Sequence, residues 1–293
     1  MIYLLLTVLL NVLLSVLFKY FERWRIDNMQ AIIVNYWVCV VTGSLFTGSF
    51  SLGAQSLQQP WLPVALFLGA GFIGIFNLMA YCTRTQGITV STVANKLSLV
   101  IPAALSVWLY GDHLGWLQVA GILLAFPAVY LVARPDKVST GTALPRKHQG
   151  IFWTAVLFLG SGILDTVMKY AETRLPEDAA SQAVFSVHIF AVAGTIGLLI
   201  LSFLLLTGRK AFAWRNLAGG ILLGIPNFFS IYCFIRMLNS GFLPGAAAIP
   251  LNNIAILLAS ALASMLLFRE RLSRSRLAGI GLSLLVILLL TLA

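Results

Sequence analysis

The sequence predicts an all-α membrane protein with ten transmembrane helices arranged as two inverted five-helix repeats. Three observations lead to this fold class: the composition, a series of ten apolar segments, and basic residues whose distribution differs between the two halves. Of the 293 residues, 60% are hydrophobic and 10% are charged, whereas soluble domains have about 45–50% apolar and about 25% charged residues. This composition excludes a soluble enzyme, a disordered tail and a disulfide scaffold, because too few polar residues are present to cover a water-facing surface.

The net charge of +10 would suggest a nucleic-acid partner in a soluble protein. In a chain this apolar, we expect the basic connections to contact anionic lipid headgroups instead, and we expect no nucleic-acid partner. The three cysteines, Cys39, Cys82 and Cys233, lie far apart within apolar runs. We expect them to be packing residues, because no pair has the spacing of a metal site or a redox motif.

Ten segments are long and apolar enough to cross a bilayer, which takes about 20 residues at about 1.5 Å each. No alternating strand pattern appears, which argues against a barrel. The first segment lacks a positive leader and a small-residue cleavage site, so it is interpreted as a helix and not as a signal peptide. The predicted segments are 2–19, 30–50, 62–83, 89–110, 115–133, 150–169, 181–206, 214–238, 242–268 and 273–292.

Basic residues are concentrated in the odd-numbered connections between these segments. Fourteen Lys and Arg lie there, whereas the even-numbered connections hold Arg174, with Arg236 at a helix end. The positive-inside rule therefore predicts that the odd-numbered connections are cytoplasmic and that both chain ends lie on the other face.

The two halves of the chain share short matches in the same order. Lys19-Tyr20 aligns with Lys169-Tyr170, YGDHL at 110–114 with FRERL at 268–272, and Gly121 with Gly279. We therefore predict one repeat at 1–133, a polar linker at 134–149 and a second repeat at 150–293, with chance similarity between apolar stretches as the alternative. Five helices are an odd number, so the second repeat would enter the membrane in the opposite sense, an architecture typical of secondary transporters.

These features resemble the EamA-type branch of the drug/metabolite transporter superfamily. The residues that carry the resemblance are Pro102 with YGDHL and Gly121, and FRERL with Gly279. Asp112 departs from the family pattern, which favours Glu, whereas Glu270 keeps it. The resemblance implies export or uptake of small metabolites, often amino acids or drug-like compounds, through a central cavity lined by both halves.

Three ionisable residues lie well inside apolar segments, where charges are expensive and mark functional sites. Asp165, together with His188, is the candidate for binding a coupling proton, with a structural hydrogen bond between helices as the alternative. Lys96 is the candidate for binding a substrate carboxylate or phosphate, with snorkelling to the cytoplasmic interface as the alternative. The predicted membrane depths of Lys96 and Asp165 differ by about 12 Å, which argues against a direct ion pair between them.

Asparagine side chains form the second set of candidates. Four asparagines lie at depths where an unpaired amide is costly, namely Asn95, Asn252, Asn253 and Asn11. They are interpreted as substrate-binding residues that line a polar cavity, and a contact between helices is the alternative. Asp112 and Glu270 lie at segment ends, Glu270 among several arginines, and are interpreted as a solvated or interfacial charge cluster.

Other local signals concern packing and bending. Pro102, Pro127, Pro226 and Pro250 are expected to interrupt their helices, either as hinges or without a functional role. The GxxxG spacing of Gly220 and Gly224 predicts close helix packing.

We expect no cofactor and no enzymatic activity, because no nucleophile–base set or metal-ligand cluster is present in the sequence. The pattern favours a secondary transporter of the bacterial inner membrane that moves a small organic metabolite by alternating access, using protons or by facilitated diffusion. Its expected partners are a small-molecule substrate, membrane lipids and, in the coupled case, protons. A non-transporting membrane scaffold or sensor is the alternative.

Overall fold

The computed structural model describes residues 1–48, 58–110, 115–134, 147–172, 179–240, 245–270 and 272–291. Within these ranges the chain forms eleven α-helices and no β-strand. The helices are α1 Ile2–Arg23, α2 Asn28–Thr47, α3 Leu62–Gln86, α4 Ile88–Leu97, α5 Val100–Tyr110, α6 Trp116–Ala133, α7 Lys147–Glu172, α8 Ala179–Leu206, α9 Trp214–Asn239, α10 Gly245–Phe268 and α11 Arg274–Thr291.

The described helices supply ten segments that are long and apolar enough to cross a membrane, with α4 and α5 together forming one of them, Ile88–Leu105. Many large apolar side chains point away from the protein, among them Leu45, Leu206 and Leu266, which are 72%, 88% and 70% exposed. Such a surface suits hydrocarbon and not water. The coarse prediction of an all-helical, multi-pass membrane protein is confirmed, and the inverted repeats stay a prediction.

The fourth predicted segment is divided, since α4 ends at Leu97 and α5 begins at Val100. The other three prolines expected to interrupt helices do not do so: Pro127, Pro226 and Pro250 lie inside the continuous helices α6, α9 and α10. A membrane helix tolerates proline where neighbouring groups satisfy the freed carbonyl, so this expectation was wrong at three of four positions.

The chain divides into two compact units. Unit 1 contains Met1–Lys19, Leu78–Thr166 and Ser230–Ala293, and unit 2 contains Tyr20–Asn77 and Val167–Phe229. The divisions fall inside helices α1, α3, α7 and α9.

In unit 1 the most extensive helix contact joins α6 and α11, and α4 packs on α10. Glycines make the first contact close. A Cβ on Gly121 would lie 3.3 Å from Leu289 and 3.4 Å from Leu290, and a Cβ on Gly279 would collide with Val132. The start of each helix therefore meets the end of the other, so α6 and α11 run antiparallel.

In unit 2 the most extensive contact joins α2 and α8, and α9 packs closely on α2. Cβ atoms on Gly220 and Gly224 would collide with Val34 and Val38 and would lie 2.7 and 2.9 Å from the carbonyl oxygens of Ala31 and Asn35. The close packing predicted from the GxxxG spacing is confirmed, because only glycine lets the two backbones approach this far.

Some sequence features fall outside the described residues. These include most of the predicted linker, 135–146, and the 111–114 segment that contains Asp112.

Candidate functional site

The break between α4 and α5 is explained by Pro102. Proline has no N–H, so the carbonyl of Ser98 cannot form its normal bond four residues ahead. That carbonyl instead accepts from the N–H of Ile101 at 2.9 Å, and the Ser98 hydroxyl lies 2.6 Å from the Asn95 carbonyl oxygen. The backbone therefore tightens to a single i→i+3 turn within a spanning segment, next to Asn95 and Lys96.

Polar side chains at this break face α7. The Asn95 amide donates to the Ser161 hydroxyl at 3.2 Å, and Ser98 donates to Asp165 Oδ2 at 3.0 Å. Ser161 and Asp165 lie four residues apart, and so share one face of α7. Gly162 lets α5 come close, since a Cβ there would collide with Ile101. The structure therefore brings two candidate residues, Asn95 and Asp165, to one place.

Lys96 belongs to the same cluster. Among the described residues Lys96 and Asp165 do not form a direct ion pair, although each charge lies near enough to act on the other. Lys96 is half-buried, and Asp165 has an exposed surface although protein surrounds it on most sides. Both side chains therefore keep some surface that the protein does not cover.

The Ser98 hydroxyl lies within hydrogen-bonding distance of two acceptors and has one proton to donate. When Asp165 is ionised, Ser98 can donate to the carboxylate. When Asp165 is protonated, the carboxyl can donate to Ser98, which then donates to the Asn95 carbonyl. The same positions therefore accommodate both protonation states of Asp165 without rearrangement.

The remaining amides are not joined to this cluster by any described contact. Asn11 donates to the carbonyl of Thr7 on its own helix at 2.9 Å. Asn252 is buried, and its Oδ1 has no hydrogen-bond partner among the described residues, whereas Asn253 is half-buried. A buried acceptor without a partner fits a site for water or solute better than a finished contact between helices.

His188 belongs to unit 2 and makes different contacts. Its Nδ1 lies 2.7 Å from the Val184 carbonyl oxygen, and its ring lies edge-on to Trp61 with centroids 5.0 Å apart. Because a carbonyl only accepts, Nδ1 carries a proton, and in the neutral ring Nε2 is an acceptor. Nε2 is buried and has no hydrogen-bond partner among the described residues, so a water molecule or a solute could donate to it.

An ion pair in unit 1 was missed by the sequence analysis. Lys19 Nζ lies 3.4 Å from Glu270 Oε1, and it also donates to the carbonyl oxygens of Arg84 at 3.1 Å and Thr83 at 3.5 Å. The ends of α1, α3 and α10 therefore meet at one end of unit 1. The repeated acidic turn and the repeated Lys-Tyr were visible in the sequence, but nothing in it indicated that their members pair.

Glu270 was interpreted as part of a solvated or interfacial charge cluster, and it does lie among charges, next to Lys19 and Arg276. Its side chain is 15% exposed, because the turn after α10 folds it against Gly87 at the start of α4. Burial raises the pKa of Glu270 above its ordinary value, while Lys19, Arg276 and the backbone N–H of Ile88 oppose that rise.

Known proteins resemble this chain over nearly its whole length, but none of these matches indicates a function. No family model matches the chain. An uncharacterized protein of Haemophilus influenzae is 25% identical over 283 residues, which cover 94% of this chain and 93% of that protein. A protein of known crystal structure matches with a TM-score of 0.58 at 17% identity, over 98% of this chain and 97% of its own. The chain therefore shares its fold, from end to end, with a structure already solved.

Proposed function

We propose that this chain is a secondary transporter of the bacterial inner membrane that moves a small organic metabolite by alternating access. In this proposal two inverted five-helix repeats, 1–133 and 150–293, exchange conformations around a polar site. The chain would then belong with EamA-type transporters of the drug/metabolite superfamily, which its motifs resemble.

The observation that carries the proposal is a pair of reciprocal contacts in unit 1. Gly121 on α6 meets Leu290 on α11, and Gly279 on α11 meets Val132 on α6. Positions 121 and 279 match in the repeat alignment, and 132 and 290 have the same offset of 158 residues. Reciprocal contacts of this kind are the signature of a twofold axis. Since the two helices are antiparallel, the axis would run across them, which supports inversion.

Other helix pairings support the same symmetry. The second helix of each half, α2 and α8, pack together in unit 2, and the fourth, α4 and α10, pack together in unit 1. A scaffold or sensor has no need for counterpart helices to pair in this way.

The cluster at the α4–α5 break supports the transport chemistry. Discontinuous helices with polar groups at the break are typical of substrate and ion sites in transporters. In the proposal, Asp165 carries the coupling proton and Lys96 binds an anionic group of the substrate. Protonation of Asp165 would remove the charge that balances Lys96, so that proton binding favours anion binding. Asn95, Asn252, Asn253 and Asn11 would supply further substrate contacts, and His188 is the second proton candidate.

The experiment is flux into proteoliposomes. Labelled amino acids, other carboxylates and uncharged drug-like compounds are offered with and without an imposed proton gradient. We expect flux of at least one class, with a preference for anions that Lys96→Met removes and Lys96→Arg retains, because the arginine keeps the charge. Absence of flux for every class would favour the scaffold or sensor.

A further inference from the structure

The Lys19–Glu270 pair connects the two predicted repeats. Lys19 belongs to the first repeat and Glu270 to the second, yet both lie in unit 1 with a nitrogen–oxygen distance of 3.4 Å. The carbonyls that share the Lys19 ammonium, those of Thr83 and Arg84, belong to the first repeat. One carboxylate of the second repeat is therefore paired with an ammonium group that two carbonyls of the first repeat hold in place.

The Glu270 carboxylate also lies at the start of α4. The residue before that helix is Gly87, which has no side chain to cap it and has a φ of 104°. A Cβ on Gly87 would lie 2.6 Å from Glu270 Oε2, so glycine is required both by the backbone conformation and by the space. A negative charge at the positive end of a helix is favourable, and the second repeat supplies it to a helix of the first.

We propose that Lys19 and Glu270 form a latch that joins the two repeats at one end of unit 1 and opens once in each transport cycle. The inference rests on the proposed function, since repeats that rock against each other must break contacts that join them. The latch is not part of the Asn95–Lys96–Asp165 cluster and contacts none of its members among the described residues.

The short helix α4 connects the latch to that cluster. It starts at Ile88 beside Glu270 and reaches Asn95 and Lys96 two turns later, a distance of about 12 Å at 1.5 Å per residue. Most of its residues are buried, and its continuous backbone joins the two places directly. A change at the latch therefore reaches the cluster through one helix.

The pair is suited to repeated opening. Both side chains keep some contact with solvent, 21% for Lys19 and 15% for Glu270, so the ion pair is of modest strength. The other charged group that acts on Glu270 is Arg276 of α11, which belongs to the same repeat as Glu270 and moves with it. The contacts of Glu270 that opening must break are therefore those to Lys19 and to the start of α4.

Native Cys82 provides a test without added probes. It is fully buried and lies next to Thr83, on the turn of α3 that accepts from Lys19. In a Cys39→Ser/Cys233→Ser background, we measure the rate at which N-ethylmaleimide modifies Cys82 at neutral pH. Lys19→Met is expected to raise this rate about fivefold or more, because the buried Glu270 carboxylate then loses the ammonium that offsets its burial, and the equilibrium shifts towards the open form. Lys19→Arg keeps the charge and is expected to stay within about twofold of the background.

Matched controls separate the latch from general loosening. Glu22→Gln removes an exposed carboxylate at the same end of α1, and Arg274→Gln removes an exposed charge from the first turn of α11. Neither should change the Cys82 rate. In a second background that retains Cys233 instead, Lys19→Met should leave the modification rate unchanged.

Three results would overturn the latch: no rise in the Cys82 modification rate with Lys19→Met, the same rise with Glu22→Gln, or an equal rise at Cys233. These readouts involve no substrate. If the Cys82 modification rate changes as expected but proteoliposomes show no flux, the transporter proposal is rejected. The Lys19–Glu270 contact would then be a conformational switch of a protein that does not transport. Flux without that change would reject the latch alone.

Discussion

Units 1 and 2 both bury polar side chains between apolar helices, but with different chemistry. Unit 1 combines opposite charges, Lys96 and Asp165, with a hydroxyl that serves either protonation state. In unit 2 the Asn227 amide donates to Asn35 Oδ1 at 3.1 Å and lies 3.6 Å from the Cys39 sulfur. This second cluster is neutral and cannot change charge near pH 7. The difference indicates that polarity within the membrane can stabilise a helix contact, whereas coupling needs a group that titrates.

Replacing one polar side chain in each unit tests this difference directly. Asp165→Asn should lower proton-driven uptake in proteoliposomes by at least about tenfold, because an amide cannot bind and release the proton. Asn227→Ala should leave coupling intact and lower the free energy of unfolding by about 1–3 kcal/mol, because Asn35 loses a buried partner. Uptake is compared with thermal unfolding in detergent for both variants.

Asp165→Glu is the control, since it keeps the titrating group and should retain part of the coupling. Undiminished proton-driven uptake with Asp165→Asn would show that the carboxylate is structural. Coupling lost with Asn227→Ala at unchanged stability would place function in unit 2.

Two glycines of α11, Gly279 and Gly281, differ in the space that surrounds them. On α11, a Cβ at Gly279 would lie 3.0 Å from the Val132 backbone nitrogen, whereas a Cβ at Gly281 would meet nothing within 4 Å. Gly279→Ala should therefore destabilise the protein by about 1–3 kcal/mol through overpacking. Gly281→Ala should be neutral or stabilise by up to about 1 kcal/mol, because alanine favours the helix. Thermal unfolding of the two variants measures the difference.

If the reciprocal contacts reflect a twofold axis, Gly121→Ala should destabilise in the same direction as Gly279→Ala, and less strongly because its space is less tight. Equal stability of the variants at 279 and 281 would remove the packing on which the symmetry argument depends.

The ten spanning segments could be predicted because composition and length decide them locally. The division of the fourth segment could not, since Pro102, Pro127, Pro226 and Pro250 give the same sequence signal and only the first coincides with a break. Next to the break at Pro102, Ser98 also donates a hydrogen bond to Asp165, 67 residues away, a contact that the local sequence does not signal. Lys96 and Asp165 could be selected as candidates because an ionisable side chain within an apolar run costs free energy.

Partners that depend on long-range contacts could not be found in the same way. Ser98 and Ser161 are ordinary polar residues until α4 packs on α7. Lys19 and Glu270 sit at segment ends, where charges are common, and only the fold shows that 251 residues of sequence separate two members of one ion pair. The local signal predicts which residues are unusual, and the contact decides which of them act together.

The two described ion pairs also differ in a way that pH can measure. Lys210 pairs with Asp27 in unit 2, where both side chains are 31% exposed, whereas Glu270 is more buried and its pKa is raised by that burial. A carboxyl with a raised pKa binds its proton more tightly in the folded protein than in the unfolded chain. Its ionisation therefore lowers stability as the pH rises above its ordinary value of 4.5.

Wild type and Glu270→Gln should accordingly diverge with pH in thermal unfolding. Relative to the glutamine variant, wild type should be most stable near pH 4.5 and should lose that advantage as the pH rises through the raised pKa, by no more than a few degrees in Tm. Taking the difference between the two proteins removes the titration of all other groups. If wild type instead gains stability over Glu270→Gln as the pH rises, the favourable contacts of the carboxylate outweigh its burial. Those contacts are with Lys19, Arg276 and the Ile88 N–H. The ion pair would then stabilise the folded protein by more than its desolvation costs. The latch would then be harder to open than its exposure suggests, and Lys19→Met would have the larger effect on Cys82.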